Sequence, residues 1–252
     1  MKAPENGSAG SDAASDEQLV TACDYDRWMT QNSLGSRWAR FWFSPARTVC
    51  LNTPARHLAR TMGLAASDRV LDVGCGCAGL LIYLLRKLRF THTLEGLDCS
   101  PRMIEWGGQE VLARGLEGRI RLRQGLATAL PYADGAFDAV LCTYVVKHLS
   151  DPLFRQMLRE VRRVLGPSGR FCLWEAAPSR YAFMRAWNLR LLRMGMSVVH
   201  LRTAGQLCAC LEEAGFAELR PYGHGLYYYY PPLPRVGYIA RQACPAPVTQ
   251  KD

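Results

Sequence analysis

The chain has 252 residues, 49% hydrophobic and 21% charged, which suits one α/β domain with a small cap and excludes a fibrous or wholly disordered protein. No apolar run reaches the roughly 18–20 residues of a membrane span, and Met1 to Glu17 is polar and acidic, unlike a signal peptide, so a cytoplasmic location is expected. The net charge of +9 comes from 27 Arg and 4 Lys scattered among 22 acidic residues, which fits compositional bias better than a nucleic-acid surface.

Residues 1–18 are rich in Gly, Ala, Ser and Asp without periodicity, and read as a disordered tail. Residues 19–63 carry Trp28, Trp38, Trp42 and Phe43 among basic residues. Ser44-Pro45 and Thr53-Pro54 each place Pro at a first helical position, which predicts a cap of two or three short helices. The main domain spans 64–252. Strands are predicted at Arg69–Val73, Thr93–Asp98, Arg119–Arg123, Phe137–Thr143 and Arg170–Glu175. Between them run helices from Leu80 to Leu88, from Ser100-Pro101 to about Arg114, and from Asp151-Pro152 to a stop at Gly166-Pro167. Helices at Tyr181–Met196 and Thr203–Ala214 follow, then strands at Ala217–Tyr222 and Val236–Ala240. Alternating strands and helices predict a doubly wound, Rossmann-like α/β fold with seven mostly parallel strands and an N-terminal helical cap.

The ten cysteines follow no disulfide framework. Cys75 and Cys77, like Cys208 and Cys210, are one residue apart, and no C-x-x-C or nearby histidine pair supplies a zinc site, so free thiols and no metal are expected.

In a parallel sheet the ligand lies beyond the carboxyl ends of the strands, and there the chain reads Asp72-Val-Gly74-Cys-Gly76-Cys-Ala-Gly79. The glycines match G-x-G-x-x-G, and Asp98 stands nineteen residues after Gly79, the spacing of a carboxylate that holds ribose hydroxyls. That pattern alone admits a dinucleotide. Asp72 discriminates, because a carboxylate beside a pyrophosphate repels it, whereas the ammonium and sulfonium of S-adenosylmethionine favour it. The ligand carboxylate would then use the amides of the following helix N-terminus.

Val70-Leu-Asp-Val-Gly-Cys-Gly76, Leu94-Glu-Gly-Leu-Asp-Cys-Ser-Pro-Arg-Met103, Gly125-Leu-Ala-Thr-Ala-Leu-Pro-Tyr132, Phe137-Asp-Ala-Val140, His148-Leu149 and Arg163-Val-Leu-Gly-Pro-Ser-Gly-Arg170 resemble the ordered motifs of class I S-adenosylmethionine-dependent methyltransferases. The nearest flavour is the group of ubiquinone and menaquinone C-methyltransferases, over roughly Ser67 to Ala177. The resemblance implies that Asp72, Gly74, Cys75 and Gly76 meet the methionine portion, that Asp98 and Cys99 lie at the ribose, and that Met103, Leu126 and Ala127 lie at adenine, with Thr143 at the end of the fourth strand. Two positions depart from the family. Leu126 stands where an Asp usually accepts from the adenine amino group, at a cost on the order of 1 kcal/mol, and Ala78 replaces a loop glycine, with Gly79 expected to compensate.

Methyl transfer is an in-line displacement that needs a general base only where the acceptor must lose a proton. His148, His200 and His224 are the candidate bases, and Tyr144 is a candidate to face the sulfonium or the acceptor; His57 and His92 are read as surface residues. The resemblance assigns the segment around 178–205 to covering the substrate, with Tyr25, Trp28, Tyr144 and Tyr181 as contacts. An aromatic lining suits a planar or lipophilic small molecule. Thr143-Tyr-Val-Val after strand four is not the Asn/Asp-Pro-Pro-aromatic loop of enzymes that methylate base amino groups, so no nucleic-acid substrate is expected.

The expected protein is therefore a methyltransferase acting on O, N or C of a small metabolite, as a monomer or homodimer. A protein or peptide methyltransferase, a cyclase or regulatory protein that binds the cofactor without transfer, and a membrane-surface enzyme acting through Ser36–Phe43 are the alternatives.

Overall fold

A computed structural model describes residues 23–24, 26–27, 31, 36–37, 41, 53–193, 198–227 and 233–242. The tail at 1–18, the Ser44-Pro45 helix start and the rings of Tyr25, Trp28, Trp38 and Trp42 lie outside them.

The first element whose full range is described, α1 (Thr53–Met62), turns Ala55, Leu58 and Met62 inward. Five parallel strands follow: β1 (Val70–Val73), β2 (Leu94–Asp98), β3 (Ile120–Gln124), β4 (Phe137–Thr143) and β5 (Leu165–Ala176). The helices between them are α2 (Gly79–Lys87), α3 (Pro101–Leu112) and α4 (Asp151–Val164). Next come α5 (Ala182–Arg193), α6 (Ala204–Glu213), β6 (Phe216–Pro221), β7 (Gly225–Tyr227) and β8 (Leu233–Gln242). The sheet order is β3-β2-β1-β4-β5-β8-β6; β8 runs antiparallel to β5 and β6, and the short β7 adds to β8. All seven predicted strands are present, and β7 is extra.

Alternation in the strands sends side chains to two cores. Val140 and Cys142 of β4 join Phe154, Met157, Leu158 and Val161 of α4 on one face, while Ala139 and Leu141 join Leu81 and Leu84 of α2 on the other. Burying each such Phe, Leu or Met side chain contributes about 1.5–3 kcal/mol. The strand order changes direction between the parallel strands β1 and β4, and the crevice at their carboxyl ends is the switch point where ligands bind in open sheets.

Helix starts follow the sequence. Pro101 and Pro152 each sit in a first turn; Ser100 accepts from the Met103 amide at 3.0 Å, and Thr203 and Gln206 form a reciprocal capping box. Two local readings differ, at the start of β5 and at the glycine loop. Strand β5 begins at Leu165, not Arg170, because Leu165 is already extended (φ −76°, ψ 136°) and pairs with Phe137 before the register slips to Ala139 opposite Arg170. Gly166-Pro167 thus lies inside the strand. α5 is described to Arg193, and the expected end at Met196 lies outside the described residues. At the glycine loop, Gly79 opens α2 and does not relieve Ala78, which takes the left-handed conformation itself (φ 63°) at about 1–2 kcal/mol of strain.

Candidate functional site

Strand β1 is fully buried, yet its third residue is an aspartate. Asp72 is 1% exposed, and its Oδ1 is buried without a hydrogen-bond partner. Burial first, and the charge of Asp98 second, push its carboxyl up to about 8. A buried, unpartnered carboxyl of this kind is stable as the acid, and becomes a strong ligand for a cation that enters beside it.

After Val73 the backbone turns through Gly74 (φ 76°), and the amides of Gly74 and Cys75 both donate to the Leu97 carbonyl, at 2.7 and 3.1 Å. The loop is thereby pinned to β2. A Cβ on Gly74 would stand 2.0 Å from Cγ2 of Val145, so glycine is required for the close approach of the loop after β4. Gly76 (φ 52°) differs, since a Cβ there would meet nothing within 4 Å, and the backbone is open to a ligand.

Asp98 ends β2 and closes the loop. Its Oδ2 accepts from the Gly76 amide and its Oδ1 from the Ser100 amide, both at 2.9 Å. Burial raises its carboxyl, the Ser100 and Gly76 amides oppose that rise, and Asp26 adds to it. Ser100 Oγ in turn donates to Asp26, which fixes one residue of the N-terminal segment at the mouth of the crevice. Cys99 beside it is half-buried, its thiol pushed up to about 12, chiefly by burial. Met103 is 4% exposed on α3, and Cys75 is buried with its thiol raised by the same cause. At the exit of β3 the Gly125 amide donates to the Asp98 carbonyl at 3.0 Å, which brings half-buried Leu126 and buried Ala127 to the same edge. The strand ends thus gather Asp72, Gly74, Cys75, Gly76, Asp98, Cys99, Met103, Leu126 and Ala127, with Thr143 two strands across from Asp98.

On the β4 side, Tyr144 holds a left-handed backbone (φ 61°), an uncommon state for a residue with a side chain and one that clusters at functional sites. Its amide donates to the Trp174 carbonyl at 2.9 Å, and the two rings lie 5.2 Å apart. Lys147 Nζ and Arg235 Cζ each stand 5.3 Å from the Tyr144 centroid. Lys147, 5% exposed, donates to the Tyr144 carbonyl and pairs with Glu175 at 3.5 Å. Glu175, 1% exposed, accepts the Lys147 amide at 3.1 Å and the Ala176 amide at 2.7 Å. Burial lowers the Lys147 ammonium against the pull of Glu175.

Sequence reading missed this Lys147–Glu175 pair. Its signal was present, an acid ending the apolar run Phe171-Cys-Leu-Trp174 and one of only four lysines in the loop after β4.

The three candidate bases fall in different settings. His148 lies in the 3-10 turn Val146–His148, where burial and then the charge of Lys147 hold its imidazole well below the usual range, and therefore neutral. His200 donates its backbone amide to the Lys147 carbonyl at 2.7 Å, and its Nε2 is buried without a hydrogen-bond partner. His224 instead sets Nε2 2.8 Å from the Gly237 carbonyl and its ring edge-on to Tyr238, so its side chain anchors the β6–β7 connection to β8. His57 and His92 are exposed. Tyr181 lies exposed just before α5, with the Arg180 guanidinium 4.7 Å from its ring centroid. Among the described residues no helix is long and apolar enough to cross a membrane.

Residues 70–169 match the family described as methyltransferase domain. A demethylmenaquinone methyltransferase of Geobacillus kaustophilus is 34% identical over 129 residues, 51% of this chain and 54% of that protein. The chain spans about half the length of the curated relatives it matches. Among solved structures, the YcgJ protein of Bacillus subtilis aligns with a TM-score of 0.62 at 21% identity, over 76% of this chain and 98% of that one. The [4+2]-cyclase SpnF aligns with a TM-score of 0.61 at 21% identity, over 77% and 82%. Likeness at that level shows the fold, and the cyclase shows that this fold by itself does not fix the reaction.

Proposed function

We propose, from the match of residues 70–169 to the methyltransferase-domain family, that the protein is a class I enzyme that binds S-adenosylmethionine and transfers its methyl group to O, N or C of a small aromatic or lipophilic acceptor. The observation that carries the reading is Asp72, a buried carboxyl whose Oδ1 lacks a partner at the switch point of the sheet. A dinucleotide would bring phosphates there; the proposed ligand brings cations.

The residues present fit this cofactor. Asp72 would take the ammonium, the open backbone of Gly76 would run along the methionine portion, and Asp98, already oriented by two amides, would accept the ribose hydroxyls. Leu126 and Met103 would pack on adenine. When bound, the cofactor supplies a methyl group on a good leaving group, so the protein's task is alignment.

Tyr144, with Trp174, Lys147 and Arg235 around its ring, would face the acceptor across from the glycine loop. An acceptor that must lose a proton would find neutral His148, with His200 beside it, for that purpose. The names of relatives that methylate demethylmenaquinone favour a quinol-like ring among the acceptors.

Calorimetric titration with S-adenosylmethionine, S-adenosylhomocysteine and NADH tests the reading. Micromolar binding of the first two with silence from NADH is expected, and binding of NADH alone would overturn it. Binding without turnover across phenols and quinols would move the protein to the non-transferring class.

A further inference from the structure

Helix α5 and the residue before it carry exposed aromatic rings. Tyr181, Phe183 and Trp187 are 45%, 74% and 52% exposed, whereas Asn188 on the opposite side is 1% exposed and marks the face turned inward. Phe183 and Trp187 are four residues apart and share one helical face, flanked along the helix by Arg190 and Arg193, while Arg185 lies on another side. Neither Arg190 nor Arg193 forms an ion pair among the described residues. Between Glu175 and Glu212 the sequence contains no acidic residue at all, but has five arginines, at 180, 185, 190, 193 and 202. Of these, Arg202 is engaged internally with Asp151.

A face that joins exposed aromatic rings to unpaired cations, in a stretch without a single carboxylate, is the pattern of a helix that lies in a membrane interface, rings among the acyl-chain boundary and guanidinium groups at anionic headgroups. We propose that the Phe183–Trp187 face of α5 docks on an anionic lipid surface. The charge selects the occupant, because an acidic headgroup layer complements the two arginines that border the rings, Arg190 and Arg193.

The position gives the contact a purpose. β5 is parallel to β1 and β4, so its end at Ala176 lies at the same edge of the sheet as Gly76 and Tyr144, and α5 begins six residues later. Docking there turns the mouth of the crevice toward the bilayer, the phase in which a lipophilic acceptor is dissolved. The proposal deepens the reading above and rests on it for that purpose, naming a lipid-borne substrate class; the docking itself is tested with neither cofactor nor acceptor present.

The experiment is co-sedimentation of the full chain with vesicles of phosphatidylcholine alone and of phosphatidylcholine mixed with phosphatidylglycerol, at low and at high salt. The expected result is binding to the mixed vesicles only, weakened by salt. It should fall roughly tenfold or more in F183A/W187A and about fivefold for each of R190Q and R193Q, while circular dichroism and S-adenosylmethionine affinity stay at the parent values. Binding that the variants leave unchanged, or equal binding to neutral vesicles, would overturn the proposal. So would a vesicle-free dimer that F183A/W187A dissociates, since that assigns the face to a second copy. Loss of cofactor binding with vesicle binding intact would count against the methyltransferase reading alone.

Discussion

Asp98 Oδ2 accepts the Gly76 amide at 2.9 Å, so the carboxylate that ends β2 and the glycine loop that leaves β1 are one rigid unit. Its second oxygen holds Ser100 and, through it, the start of α3. Asp98→Ala removes the ribose acceptor and leaves two amides without a partner. S-adenosylmethionine affinity should fall by about 1.5–3 kcal/mol, tenfold or more, with the far-ultraviolet circular dichroism retained. Unchanged affinity by calorimetry would reject the ribose assignment.

The carboxyl of Asp72 makes a prediction in pH. Between its ordinary value of 3.8 and about 8, the unfolded chain has lost this proton and the folded chain keeps it. The folded state therefore binds more protons in that window, and the Asp72 contribution lowers stability as pH rises through it. A cationic ligand takes Asp72 as the carboxylate, so binding near neutral pH should release a proton. Calorimetry in buffers of different ionisation enthalpy should show that release in the parent and lose it in Asp72→Asn. Equal proton release in both would sink the assignment.

Gly74→Ala tests the close approach of two loops. The new Cβ meets Val145 Cγ2 and sits on a left-handed backbone, so a loss of about 2–4 kcal/mol is expected from overpacking and strain together. Adding Val145→Ala should recover the steric part and leave the backbone part. Denaturant unfolding of both variants separates the two.

Lys147 and Glu175 are both buried and paired. Lys147→Met strands a carboxylate in the core and should destabilise the fold by about 3–5 kcal/mol. The double variant with Glu175→Leu should recover most of that, because neither charge is then left alone. If the single and double variants lose the same stability, the pair is not coupled.

Tyr144 separates stability from function. Its left-handed backbone is one that glycine adopts freely, so Tyr144→Gly should relieve roughly 1 kcal/mol of strain while losing the ring that Trp174, Lys147 and Arg235 surround. The expected outcome is methyl transfer reduced by roughly a hundredfold with cofactor affinity near the parent value. Full activity would remove Tyr144 from the acceptor side.

Much of this molecule is written in local pattern. Val70-Leu-Asp-Val, the glycines after it and Asp98 nineteen residues past Gly79 are near-neighbour signals, and strand, loop and carboxylate follow from them because a buried parallel strand and a tight turn each admit few residues. The heptad-like face of α4 and the prolines that start α3 and α4 are equally legible. Partnership is not legible in the same way. Lys147 finds Glu175, Ser100 finds Asp26, and Gly74 leaves room for Val145 only after residues distant in sequence are brought to one sheet edge. The same holds for titration. The sequence supplied the carboxyl of Asp72, but its protonated state near neutral pH depends on the burial and the neighbouring Asp98 that folding creates. Composition determined the layers, the loop and the kinds of groups at the crevice; only the tertiary structure decided which of those groups face one another, because desolvation and side-chain distance exist only once the layers are packed.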